Sequence, residues 1–213
     1  KRYDEDKDIT YIYAGEKLLG SEGGNTVHES FGVVVDIGTT TLVASLVDLN
    51  SGKELDSISA LNPQAVHAQD VLSRIKLASE KSGLKLMYSV LIVSINQMIT
   101  RLAQKNSIKV ERIYEVVFSG NTCMLHLASN TNPYSLGRFP YEPEITGDVH
   151  LKASEHNLAI SKFGIIYLPP VISAYVGADI TSGILAAQLH ERKGITLFVD
   201  IGTNGEMVLA CDG

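Results

Sequence analysis

Phe31-Gly-Val-Val-Val-Asp36-Ile-Gly38-Thr39-Thr40-Thr41 and Leu197-Phe-Val-Asp200-Ile-Gly202-Thr203-Asn204-Gly205-Glu206 are two versions of one motif. Each is an apolar strand that ends in a carboxylate, followed by a glycine and then by hydroxyl or amide residues. These are the parts a phosphate loop needs: a strand to fix the backbone, an acid to hold a metal, and a residue without Cβ where the main chain turns tightly. In both copies a strand pattern resumes after the glycine, Thr41 to Val47 and Glu206 to Ala210, so each loop is expected at the tip of a β-hairpin. That excludes a Walker-type loop and a dinucleotide-binding turn, which both require a helix N-terminus behind the glycines.

Outward from the first copy, Val43 to Asp48, the turn Asn50-Ser51-Gly52 and Glu54 to Ala60 predict a three-stranded antiparallel meander. The period then becomes helical over 68–79 and 84–105. Leu84, Met87, Val90, Leu91, Ser94, Ile95, Met98 and Leu102 fall on one face, which makes Met87 and Met98 core residues. A strand over 113–118 leads through Ser119-Gly120-Asn121 to a helix over 122–128. The segment 131–148, with Pro133, Pro140 and Pro143, is expected to be a surface loop. A strand over 164–168 stops at Pro169-Pro170, a helix runs from about 176 to 190, and the strand 195–200 opens the second copy. This order predicts an α/β lobe over 31–192 and the start of a second lobe over 193–213. Residues 1–30, polar and containing Gly20-Ser-Glu-Gly-Gly24, read as a linker with one short strand near 9–13.

The 213 residues, 45% of them hydrophobic, can bury a sizeable core. No uninterrupted run approaches the roughly 18 apolar residues of a membrane span. A net charge of −6 without a basic stripe argues against nucleic acid. Cys123 and Cys211 are far apart and show neither disulfide nor metal spacing, so both are expected to be small buried hydrophobes in a reducing, cytoplasmic setting. The chain opens on a charged run without an initiator methionine and closes on Asp212-Gly213 directly after a strand, so neighbouring segments are expected on both sides.

Five stretches, in this order, carry a resemblance. They are Val35-Asp36-Ile37-Gly38-Thr39-Thr40-Thr41; Asn62-Pro63-Gln64 with Asp70-Val71-Leu72-Ser73-Arg74-Ile75; Ser119-Gly120-Asn121-Thr122; Leu168-Pro169-Pro170 with Val176-Gly177-Ala178-Asp179-Ile180; and Asp200-Ile201-Gly202-Thr203-Asn204-Gly205-Glu206. Through the paired loops the chain resembles the actin, sugar-kinase and heat-shock-chaperone superfamily, with its actin-like (ribonuclease H-like) ATPase lobes. Through all five it resembles the reductive activators of corrinoid proteins, also described as methyltransferase corrinoid activation proteins. It departs from their pattern at His67-Ala68-Gln69, where an aromatic-Gly pair is expected, and at Cys123, where a hydroxyl is expected.

The resemblance implies ATP and Mg²⁺ as ligands. Asp36 and Asp200 would hold the metal through its waters. Gly38, Thr39, Thr40, Gly202, Thr203, Asn204 and Gly205 would bind or shape the phosphate contacts. For Asp36 and Asp200 the alternative is an acid that caps its own turn. Asp179 would position an attacking water, or else stabilise the N-terminus of its helix. Glu206 is a second candidate for orienting water, and Asn121 and Thr122 are candidates for the cleft floor. Small residues Gly177, Ala178 and Gly183 suit a close crossing and a hinge. His126, on an apolar helix face, reads as a core residue.

At the level of the whole protein, the resemblance implies ATP-dependent reduction of cobalt(II) to cobalt(I) in a partner corrinoid protein of a methyltransferase system. A low-potential donor would supply the electron, an iron–sulfur domain would lie upstream, and the second lobe would continue downstream. This piece alone would then be inactive. A homodimer is compatible with the same resemblance. A small-molecule kinase and a nucleotide-dependent actin-like scaffold are the rival readings.

Overall fold

The structure is a computed structural model that describes residues 8–202 and 205–213. The strands β3 (Phe31–Ile37), β4 (Thr41–Asp48) and β5 (Lys53–Leu61) form the expected antiparallel meander. With β6 (Ile113–Ser119), β7 (Val149–Lys152) and β8 (Ile165–Leu168) they build one six-stranded sheet in the order β5-β4-β3-β6-β8-β7. The β3–β6 and β6–β8 pairs are parallel; the others are antiparallel. The α/β lobe is thus the one expected, with an additional edge strand, β7, in the stretch directly after the expected loop over 131–148, where the sequence marks no element.

Alternation along β3 and β4 separates the two faces of the sheet. Val33, Val35, Ile37, Leu42, Ala44 and Leu46 are buried, in one core with residues of α1 (Val71–Ala78), α2 (Lys81–Lys105) and α3 (Thr122–Ala128). Asp70 and Ser73 form a reciprocal capping box at the start of α1. By length and apolar composition alone α2 is able to cross a membrane. Its buried positions, among them Met87, Leu91, Ile95, Met98 and Leu102, instead belong to the lobe core, as the period predicts.

The other face carries Asp36. Its parallel neighbour is Ser119, whose hydroxyl meets the Ala178 carbonyl at 3.2 Å and Ser182 Oγ at 3.4 Å. Cross-strand neighbours share a face, so α4 (Ala178–Ala186) crosses the sheet on the side of Asp36. That helix is shorter than its sequence pattern because Gln188 adopts a left-handed conformation and a short 3-10 turn follows. The strands β9 (Ile195–Ile201) and β10 (Gly205–Cys211) pair as a separate hairpin. Gly183 joins α4 to it: a Cβ there would stand 2.6 Å from the Phe198 ring.

Two expectations are corrected. Cys123 is buried, but Cys211 is exposed on β10. The stretch read as a linker is in part folded, since β1 (Ile9–Ala14) and β2 (Lys17–Gly23) form an antiparallel hairpin. Gly20, taken as a sign of flexibility, lies against the Phe163 ring where any Cβ would collide. The hairpin is also clamped electrostatically. Glu22 receives the Arg112 guanidinium and, at 2.8 Å, the Tyr114 hydroxyl, while Arg112 Nε donates to Glu29 at 2.9 Å.

Removing this clamp with Arg112→Ala should let the hairpin open while the sheet holds. Amides over 9–23 are expected to exchange roughly tenfold faster, the equivalent of about 1.4 kcal/mol for lost charge-assisted hydrogen bonds. Exchange that stays at the parental rate there would mean that packing on Phe163 alone holds the hairpin.

Candidate phosphate-loop site

Gly38, Thr39 and Thr40 connect β3 to β4. A Cβ at Gly38 would meet the Thr41 carbonyl oxygen at 2.6 Å, so the turn requires glycine. All three carbonyls of the loop are held by the protein. Gly38 O accepts from Asn62 Nδ2 at 2.8 Å, Thr39 O from Arg74 Nη2 at 2.6 Å, and Thr40 O from the Asn62 backbone N–H at 2.8 Å. In a planar trans peptide the N–H points opposite to the preceding carbonyl. The N–H groups of Thr39 and Thr40 are therefore turned away from these anchors, and neither has an acceptor among the described residues. Successive outward N–H groups make an anion-binding concavity. The Thr40 side chain is exposed, whereas that of Thr39 is buried and its hydroxyl meets Asn121 Nδ2 at 3.4 Å.

Asn121 caps α3 by accepting from Met124 N–H at 3.1 Å, which ties the loop to that helix. Next to it, Gly120 and Gly177 bring two backbones together. Gly120 has φ +153°, and a Cβ there would sit 2.7 Å from the Ile37 carbonyl oxygen; one on Gly177 would sit 2.5 Å from both Gly120 O and Asn121 Cα. Gly120 O accepts from Ala178 N–H at 2.9 Å and Asp179 N–H at 3.3 Å, which pins the start of α4 to the end of β6. Gly177 thus serves a crossing within the lobe, and Gly183 the crossing to the second hairpin.

Thr122 is buried and donates to Ser173 O at 2.6 Å, so it belongs to the core and not to the open face of the site. His126 Nε2 accepts from Glu144 N–H at 3.1 Å, which leaves Nδ1 as the donor to Thr122 O at 2.8 Å. Burial lowers its pKa and favours this neutral form. It is the satisfied core histidine that the sequence suggests.

The structure brings Asp36, Asp179, Asp200 and Glu206 into one electrostatic group. Asp36 keeps a solvent-exposed side chain, yet enough protein surrounds its carboxyl to raise the pKa, and Asp179 and Asp200 raise it further. Burial raises that of Asp179, against hydrogen bonds that include Ile180 N–H at 2.9 Å, and Asp200 adds to the rise. Glu206, paired across the hairpin with Asp200, is raised by burial and then by Asp179 and Asp200. Desolvated like charges disfavour one another, and a cation among them would relieve that. Among the described residues no three Asp, Glu, His or Cys side chains converge to ligate a metal directly. Gly202 is exposed beside the second loop and Gly205 opens β10. Thr203 and Asn204 lie outside the described residues.

Sequence reasoning missed Arg74 and Asn62 as parts of the site. The signal was present, because Arg74 stands with Ile75 and Ala78 on the buried face of α1. An arginine on an apolar face needs acceptors inside the fold.

Comparison with known proteins places these features in a family. The RACo middle region matches residues 31–192. Corrinoid activation enzyme RamQ of Eubacterium limosum is 36% identical over 204 residues, which cover 94% of this chain and 34% of that protein. Co(II) methylated amine-specific corrinoid protein reductase of Methanosarcina barkeri is 24% identical over 188 residues, 84% of this chain and 34% of that protein. A solved structure described as the reductive activator for corrinoid, iron-sulfur protein superposes with a TM-score of 0.87 at 37% identity, over 91% of this chain and 31% of that one. The chain spans about a third of the length of each of these proteins. With the fold of that reductive activator and a family match covering most of its length, the chain belongs to the RACo middle region family.

Proposed function

We propose that this chain is the phosphate-gripping part of an ATP-dependent activator that returns a corrinoid protein from cobalt(II) to cobalt(I). The observation that carries the proposal is the 36% identity, over nearly the whole chain, to a corrinoid activation enzyme. The site supports the ATP dependence, because the outward N–H groups of Thr39 and Thr40 face no acceptor among the described residues. In this reading residues 31–192 form the first ATPase lobe and 193–213 open the second. An iron–sulfur domain elsewhere in the full-length protein passes on the electron from a low-potential donor.

The residues present fit Mg²⁺ and a polyphosphate. Asp36 and Asp200 would hold the metal through its waters. Bound Mg²⁺ would neutralise charge on the phosphates. The N–H groups of the first loop would bind phosphate oxygens, Gly202, Thr203, Asn204 and Gly205 would form the matching loop, and Asp179 would orient a water. ATP is needed on thermodynamic grounds: cobalt(II) reduction in a corrinoid protein is uphill from ordinary ferredoxin-level donors, so nucleotide or partner-binding energy must shift the equilibrium.

The full-length protein, given a low-potential donor, ATP, a cobalt(II) corrinoid protein from the same cell and that protein's methyltransferase with its methyl donor, should restore methyl acceptance. The readouts are loss of the cobalt(II) absorption and formation of methylated corrinoid, both requiring ATP. ATP-dependent phosphorylation of a metabolite without any reactivation would replace this function with a kinase.

A further inference from the structure

Arg74 is completely buried, and none of the ion pairs among the described residues includes it. All its recorded partners are uncharged. Nε donates to Ala68 O at 3.0 Å, Nη1 approaches Gln64 Oε1 and Met124 Sδ, each at 3.1 Å, and Nη2 donates to Thr39 O at 2.6 Å. Gln64 is itself fixed, since its Nε2 donates to the Met87 carbonyl of α2 at 3.1 Å. The nearby Asp70 carboxylate offsets only part of the cost of burying the guanidinium, and an apolar side chain of similar volume would fill the space without that cost. What an apolar side chain lacks is a rigid planar fork that reaches several acceptors at once. Here the fork joins the phosphate loop to the turn after β5, to α3 and, through Gln64, to α2.

Asn62 completes the grip from the same turn. Its side chain and its backbone N–H take the carbonyls on either side of Thr39, while its Oδ1 accepts from Gln64 N–H at 3.0 Å. The Asn62-Pro63-Gln64 and Arg74 motifs, which the sequence marks without a role, therefore converge on three consecutive carbonyls.

We propose that Arg74, together with Asn62, is the positioning residue of the first phosphate loop: by drawing its carbonyls into the protein it sets the Thr39 and Thr40 N–H groups outward before any polyphosphate arrives. The choice of polyphosphate as ligand rests on the nucleotide reading above. The pre-set geometry itself does not.

The test uses the full-length protein with Arg74→Lys, Arg74→Met and Asn62→Asp. Lysine keeps the charge but not the fork. Aspartate keeps the acceptor for Gln64 but replaces the donor to Gly38 O with an anionic acceptor, so it breaks that bond even if Arg74→Met fails to fold. Two quantities are measured: calorimetric affinity for Mg-ATP and for adenosine, and hydrogen exchange over 37–42 without nucleotide. Arg74→Lys and Asn62→Asp should each weaken ATP binding roughly tenfold or more, leave adenosine binding unchanged and speed exchange in the loop. Parental ATP affinity with parental exchange would overturn the proposal, as would an equal loss for ATP and adenosine, which marks general destabilisation. If the parent binds no ATP while both variants loosen the loop, the positioning role stands and the nucleotide reading falls.

Discussion

Asp36→Asn and Asp200→Asn, introduced into the full-length protein, should each lower ATP turnover roughly a hundredfold or more, and the double variant should lose little beyond either single change. The expectation rests on the shared surroundings of these carboxylates: Asp36 is raised by burial first, then by Asp179 and by Asp200, which stands on a different strand pair. Two acids that hold one hydrated ion act as a unit, so the first loss removes most of what the pair provides. Additive losses, measured as kcat/KM for ATP, would mean separate roles. Asp179→Asn separates that residue's two roles, because asparagine can still accept from Ile180 N–H. Turnover should fall while ATP binding is retained; unchanged turnover would leave Asp179 as a helix-stabilising residue.

The same carboxylates give a stability effect of opposite sign. Asp36, Asp179 and Glu206 have folded pKa values raised above their ordinary ones. Over the window from the ordinary carboxylate range, near ~4, up to those raised values, the native state binds more protons than the unfolded chain. Stability of the cation-free protein therefore falls as pH rises through this window, and the penalty is fully present above it. Asp36→Asn removes part of the penalty. At neutral pH without Mg²⁺ that variant should melt above the parent, and Mg²⁺ with nucleotide should close the gap.

The paired loops were legible because their chemistry is local: strand, acid, glycine and hydroxyl follow one another in Phe31 to Thr41 and in Leu197 to Glu206. The helices were legible because one face of α2 repeats faithfully over Met87, Leu91, Ile95 and Leu102. What escaped depends on contacts between distant segments. Gly20 looks like a flexible residue until Phe163 is seen against it, and that hid β2. Val149 to Lys152 alternate apolar and polar, but four residues after a proline-rich loop are too short a run to mark a strand until they pair with β8. At the candidate site, Asp36 and Asp200 are singled out by local sequence, whereas the anchors of the loop show only as an arginine on an apolar helix face. Arg74 lies 35 residues from Thr39, and nothing local states which carbonyl its fork reaches.

Gly177→Ala should destabilise the lobe by about 1–3 kcal/mol, equivalent to a fall of about 3–10 °C in Tm, because a methyl group there has no room between two backbones. Flexible side chains yield to an added methyl; Gly120 O and the Asn121 Cα cannot move without disturbing β6 and the cap of α3. A control comes from Gly23 at the end of β2, where a Cβ meets no atom within 4 Å, and Gly23→Ala should stay within about 0.5 kcal/mol of the parent. Denaturant melts compare the two directly, and equal effects would show that the crossing tolerates a side chain. The cost should extend to function. Asn121 reaches the phosphate loop through Thr39, and Gly120 O holds the N–H of Asp179, so a wedge at Gly177 pushes apart the two walls that carry the loop and the carboxylate. ATP turnover in Gly177→Ala should therefore fall even at temperatures where the variant is fully folded, since the closeness of these backbones sets the distance between phosphate loop and acid.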